Sequence, residues 1–305
     1  MSALGERLGG LGYAAGWRLT GMLPAGMTAT AFSLGADFVA RRGGGAVRQL
    51  RRNLGRVVPQ AGTAELDELT RRSMRSYARY WQEVFRLPSM DLDLLRHQVA
   101  QGTSGVENLD AALAEGNGAV LALSHSGNWD ACGVWLTGHS GGFTTVVERL
   151  RPESLYQRFV AYRESLGFEV VPAAGAAASF RILLRRLREN RVVCLLSDRD
   201  LTTSGIPVTF FGERTRMPGG PARLAASTGA ALLPVGCWFT EQGWGLRIHP
   251  RIRVNAREEV PAATQALADV LAGDIAAHPA DWHMLQKFWV ADLERQQRVV
   301  LGESG

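Results

Sequence analysis

The stretch Gly118–Cys132, GAVLALSHSGNWDAC, constrains the fold more than any other part of the chain. Ala119–Leu123 is an unbroken apolar run, the pattern of a short strand buried on both faces. Ser126-Gly127-Asn128 then supplies turn and N-cap residues, and Trp129–Trp135 begins a helix. A histidine therefore sits at the carboxyl end of a buried strand, with Asp130 in the first helical turn beyond it. In open α/β sheets that edge is where ligands bind.

The spacing from His125 to Asp130 is H-x4-D. Within one continuous helix, five residues rotate by about 140°, so the two side chains would diverge. They meet only if the chain turns between them, as Ser126-Gly127-Asn128 permits. Asp130 near a helix N-terminus is also favoured by the helix dipole. A histidine oriented by a carboxylate is a general-base arrangement.

The rest of the chain alternates. Leu66–Leu87 carries an aromatic and aliphatic stripe at helical spacing, and Val106–Glu115 is a second helix. Strands are expected at 143–147, 168–171, 192–196, 231–238 and 245–249, with a further strand or hairpin arm at 208–211. Helices are expected at 152–166, 180–188, 218–228 and 260–277. This order predicts an α/β fold: a mainly parallel central sheet with helices on both faces and a helical N-terminal region. At 305 residues it reads as a single domain, 1–305. Residues 1–60 belong to it as helices with apolar faces, followed by Arg41, Arg42, Arg48, Arg51, Arg52 and Arg56. Basic residues beside apolar helices suit an anionic membrane surface. Nucleic acid is not expected, because the cluster lacks interleaved aromatics.

Composition narrows the chemistry. The net charge is +5, and every basic residue except Lys287 is an arginine. The three cysteines are scattered without C-x-x-C spacing, which argues against a zinc or disulfide framework and for a reducing compartment. No P-loop, dinucleotide fingerprint or G-x-S-x-G elbow is present. No second histidine stands at ligand spacing beside His125, so no metal is expected. No apolar run reaches the roughly 18–20 residues needed to span a bilayer. A second polar strand end, Asp198-Arg199-Asp200, follows Val192–Leu196. If the two strands are parallel neighbours, Asp198 can reach His125. Either Asp198 or Asp130 can then orient a base that acts directly on a hydroxyl or on water.

The block His125-Ser126-Gly127-Asn128-Trp129-Asp130 resembles the H-x4-D motif of the lysophospholipid and lipid A acyltransferase superfamily. Ser76–Trp81, Pro152–Tyr156, Tyr162–Val170 and Ala280–Gln286 resemble the actinobacterial phosphatidylinositol mannoside acyltransferases. The likeness runs from about residue 11 to 295. It implies a peripheral enzyme on the cytoplasmic face of the plasma membrane, without a cofactor. The enzyme would move a palmitoyl-like group from acyl-CoA to the 6-hydroxyl of a mannose on phosphatidylinositol mannosides. His125 would be the base, with Asp198 and Asp130 as catalytic carboxylates. Glu148, Arg163, Arg199 and His283 would lie around the substrates. The family has a glutamate where this chain has Asp198, a side chain one methylene shorter. Backbone N–H groups of the His125–Asn128 turn, or Arg163, are the expected donors to the oxyanion.

Overall fold

The computed structural model describes residue 17 and residues 20–148, 153–173, 176–200 and 204–294. Pro152, which opens one block that carries the family likeness and the helix expected at 152–166, lies outside them.

The apolar run forms strand β2, Ala119–Leu123, at the centre of a seven-stranded sheet. The other strands are β1 (Thr103–Ser104), β3 (Phe143–Val147), β4 (Phe168–Pro172), β5 (Val192–Leu196), β8 (Ala231–Phe239) and β9 (Trp244–Ile248), in the order β1-β9-β8-β2-β5-β3-β4. Strands β8, β2, β5, β3 and β4 are mutually parallel. The exceptions are β9, antiparallel to β8, and β1, which pairs parallel with β9. Only residues 240–243 separate β8 and β9, too few for a crossover, so the chain returns as a hairpin. The 208–211 segment belongs to a separate hairpin, β6 (Ile206–Phe210) and β7 (Glu213–Met217).

Alternation along β2 sends its side chains into two cores. Ala119, Leu121 and Leu123 join the core under α3 (Thr63–Arg86), α4 (Leu92–Gln101), α5 (Val106–Ala114), α6 (Trp129–Ser140) and α7 (Glu153–Ser165). Val120 and Ala122 join the core under α8 (Ala176–Arg188), α9 (Gly220–Thr228) and α10 (Val260–Ala277). The N-terminal helices α1 (Ala25–Arg42) and α2 (Gly45–Val57) pack on α3 through Ala36, Val47, Leu50, Leu54 and Met74.

Two features bear on the site. The long helix α3 buries polar side chains, Ser76 and Glu83, among its aromatic stripe. The segment after α10 runs back across the carboxyl edge of the sheet, where Trp282 bridges Ser126 in antiparallel fashion.

Candidate active site

Strand β5 pairs parallel with β2, Leu196 opposite Leu123. Two residues further along each chain lie Asp198 and His125, brought side by side by that register. Asp198 is fully buried. Its Oδ1 lies 2.6 Å from His125 Nδ1, its Oδ2 accepts the His125 backbone N–H at 3.0 Å, and Oδ2 also accepts the Trp282 indole N–H at 3.0 Å. Burial works to raise the carboxyl's pKa, but the His125 charge and these donors hold it below the ordinary aspartate range. The shorter side chain thus reaches His125 directly. A carboxylate only accepts, so Nδ1 carries the ring proton of a neutral His125. Nε2 is left with a lone pair. The ring is partly exposed and lines a cleft.

The turn between β2 and α6 is held on every side. Asn128 caps α6 by accepting the Ala131 N–H at 3.0 Å, and its amide donates to Glu83 at 2.6 Å. Gly127 has φ +59°, and a Cβ there would lie 2.8 Å from the Trp238 backbone nitrogen. The Gly127 N–H donates to the Asp281 carbonyl at 2.9 Å, and the His283 N–H to the His125 carbonyl at 2.8 Å. One expectation changes here. The N–H groups of His125, Ser126 and Gly127 already donate to Asp198, the Ser124 carbonyl and the Asp281 carbonyl, so they do not offer themselves to an oxyanion.

Asp130 faces elsewhere. Its carboxylate takes Arg163 Nε at 2.9 Å and Nη2 at 3.2 Å, and the Tyr80 hydroxyl at 3.2 Å. Burial disfavours the Arg163 charge, yet Asp130 raises the guanidinium pKa. Burial, reinforced by the Asp130 charge, pushes the Tyr80 phenol well above its usual value. Of the two carboxylates, Asp198 touches the histidine and Asp130 anchors Arg163. That guanidinium keeps further N–H groups beyond these two bonds.

His125, Glu148, Arg163 and Arg199 line one cleft of about 510 Å³. Trp129, Val146, Arg163 and Leu196 also line a smaller apolar cavity of about 70 Å³, which runs between the sheet and α6. His283 is buried behind them, ringed by Tyr77, Tyr80, Trp129 and Phe239. Among the described residues, no group of three or more His, Cys, Asp or Glu side chains is placed to hold a metal ion.

Trp282, Asp281 and Ser76 lie within the blocks Ala280–Gln286 and Ser76–Trp81 that carry the likeness, but nothing in the sequence assigns them a role. An acidic residue inside the aromatic stripe of α3, Glu83, was the available sign that this helix serves the site; its carboxylate holds both Asn128 and the Trp244 indole.

Residues 8–290 match the family model described as bacterial lipid A biosynthesis acyltransferase. The chain is 55% identical over 300 residues to a Mycolicibacterium smegmatis protein named phosphatidylinositol mannoside acyltransferase, covering 98% of this chain and 97% of that one. It is 56% identical over 290 residues to a Mycobacterium tuberculosis protein of the same name, covering 95% and 91%. A cleft histidine held by a buried carboxylate at a sheet edge, and likeness over nearly the whole length, lead to one assignment: the chain is an acyltransferase and belongs to the bacterial lipid A biosynthesis acyltransferase family.

Proposed function

We propose that the enzyme transfers a palmitoyl-like group from acyl-CoA to the 6-hydroxyl of a mannose on a phosphatidylinositol mannoside. The observation that carries this reading is the His125–Asp198 contact at 2.6 Å, which leaves Nε2 available in a cleft adjoining an apolar cavity. The phosphatidylinositol mannoside named for both relatives supports the acceptor.

In the proposed reaction, His125 Nε2 takes the proton of the mannose hydroxyl as its oxygen attacks the thioester carbonyl. Asp198 holds the ring and stabilises the imidazolium, a role worth typically 10²–10⁴-fold when combined with a positioned base. Arg163, fixed by Asp130, donates to the oxyanion. The intermediate collapses, the ester forms, and the coenzyme A thiolate leaves with the proton from His125. No acyl-enzyme and no separate cofactor take part. The acyl chain lies in the larger cleft, which shares Trp129, Val146 and Leu196 with the apolar cavity, and Glu148, Arg199 and His283 bind around the acceptor.

We also place the enzyme at the cytoplasmic face of the plasma membrane as a peripheral protein. Among the described residues no helix is long and apolar enough to cross a membrane. Met22, Leu23, Met27, Leu34, Phe38 and Val39 are all exposed on or just before α1, which ends in Arg41 and Arg42. Apolar contact with anionic lipid flanked by arginine is the supporting chemistry.

The test is transfer of radiolabelled acyl groups to a panel of acceptors by wild type and His125→Ala. Loss of transfer in the variant is expected, and full retained activity overturns the base assignment. Because the family model is named for lipid A, the panel includes a lipid A precursor and a lysophospholipid. Preference for either over the mannosides overturns the acceptor.

A further inference from the structure

Asp281 closes a short 3-10 turn, Pro279–Asp281, and the chain extends from Trp282. Trp282 points to Asp198, while Asp281 and His283 both turn to Ser76 on α3. Ser76 Oγ lies 2.6 Å from Asp281 Oδ1 and 2.9 Å from His283 Nε2. The other carboxylate oxygen, Oδ2, accepts the Phe239 backbone N–H at 2.9 Å.

One proton decides the direction of this chain. A carboxylate has only acceptors, so the Ser76 hydroxyl must donate to Asp281. Its oxygen then accepts from His283, which requires the ring proton on Nε2. The imidazole is neutral: burial, helped by the nearby His125 charge, lowers its pKa to about 3. A neutral ring has one N–H, so Nδ1 is bare. It is buried and has no hydrogen-bond partner. The Trp129 ring, packed between His283 and His125, likewise buries an indole N–H without a partner. Buried polar atoms left unmatched are costly, and two together beside a base point to a ligand that supplies the match.

We propose that Ser76 and Asp281 are positioning residues that lock His283 in its Nε2–H form, so that Nδ1 stands ready to accept a hydrogen bond from a hydroxyl of the acceptor substrate. The relay is a property of the protein alone. Only its use in the reaction rests on the acyl-transfer reading above. A hydroxyl both donates and accepts, and so suits a bare ring nitrogen on a histidine whose neighbour Trp129 also holds an unmatched indole N–H.

The informative variant is Asp281→Asn, which keeps size and shape. Phe239 N–H still needs an acceptor, so the asparagine carbonyl must face it and the amide must face Ser76. Ser76 then accepts from the amide and donates to His283 Nε2. The ring proton moves to Nδ1, turning an acceptor into a donor. Nitrogen-15 NMR of labelled histidine reads this directly. Wild type is expected to show a bare Nδ1 and a protonated Nε2, and Asp281→Asn the reverse. An unchanged form in the variant overturns the relay.

For the reaction, Asp281→Asn and Ser76→Ala are expected to lower kcat/KM for the mannoside by about tenfold, with KM for acyl-CoA unchanged and Ser76→Thr restoring most of the loss. A loss that Thr does not restore, or one that falls equally on both substrates, overturns the positioning role. If the form flips but transfer is unaffected, Nδ1 does not contact the acceptor and that part is overturned. A wild type that acylates no mannoside defeats the proposed function instead, and leaves the NMR result standing.

Discussion

Trp282 donates its indole N–H across 3.0 Å to the carboxylate of Asp198, a residue 84 positions earlier in the chain. Both side chains are fully buried. Trp282 thereby stabilises the charged form of the group that pairs with His125, and does so from a segment outside the sheet. Three donors converge on one carboxylate, which holds it ionised and fixes which oxygen faces the imidazole.

Asp198→Asn should therefore be severe. An asparagine that turns its amide toward His125 Nδ1 forces the ring proton onto Nε2 and removes the base. The kcat is expected to fall by roughly 10³–10⁴-fold with a small change in acceptor KM. Trp282→Phe, which keeps the carboxylate but deletes one donor, should cost about tenfold. Steady-state kinetics on both variants checks the order, and equal losses would refute it.

The buried Asp130–Arg163 pair calls for a different measurement. Asp130→Ala strands a buried guanidinium and is expected to cost about 3–5 kcal/mol, seen in urea unfolding. Replacing both partners, Asp130→Leu with Arg163→Met, should recover more than half of that stability. Acyl transfer should not return with it, because Arg163 lines the cleft.

Acid stability should report on His283. Its pKa is lowered on folding from 6.5 to about 3, so the unfolded chain takes up a proton that the folded one refuses. Stability contributed by the neutral ring is complete above about pH 6.5 and declines as the pH falls toward 3. Between pH 7.5 and 5 this amounts to about 2 kcal/mol. His283→Gln should lose less over that interval. Asp198, also depressed, contributes its share until the pH nears its unfolded value of 3.8, and so does not interfere.

The outer face of α1 offers a test independent of chemistry. Leu34→Asp and Phe38→Asp place charge on exposed apolar positions, so folding should be unaffected. Sedimentation with vesicles containing anionic lipid should fall several-fold. Binding that is unchanged would remove α1 from the membrane surface.

Much of the site was legible because strand ends are legible. Gly118–Cys132 has a run of apolar residues, a turn and a cap in succession, and Val192–Leu196 delivers Asp198 in the same way. Which aspartate serves His125 was not legible, because the answer lies in Arg163, a residue of another helix that claims Asp130. The N–H groups of His125, Ser126 and Gly127 looked free for the same reason: their acceptors include the Asp198 carboxylate and the carbonyl of Asp281, far along the chain. Ser76 sat in a stripe that reads as core. The reversal of β9 was visible only in the shortness of the link before it.

The contacts that make the site bridge 73, 84 and 205 positions of sequence. Loop closure on that scale comes late, after the local helices and neighbouring strands have formed. Partly folded molecules, however helical, should therefore be catalytically silent. During refolding from urea, recovery of acyl transfer should follow the slowest phase rather than the early return of helical signal.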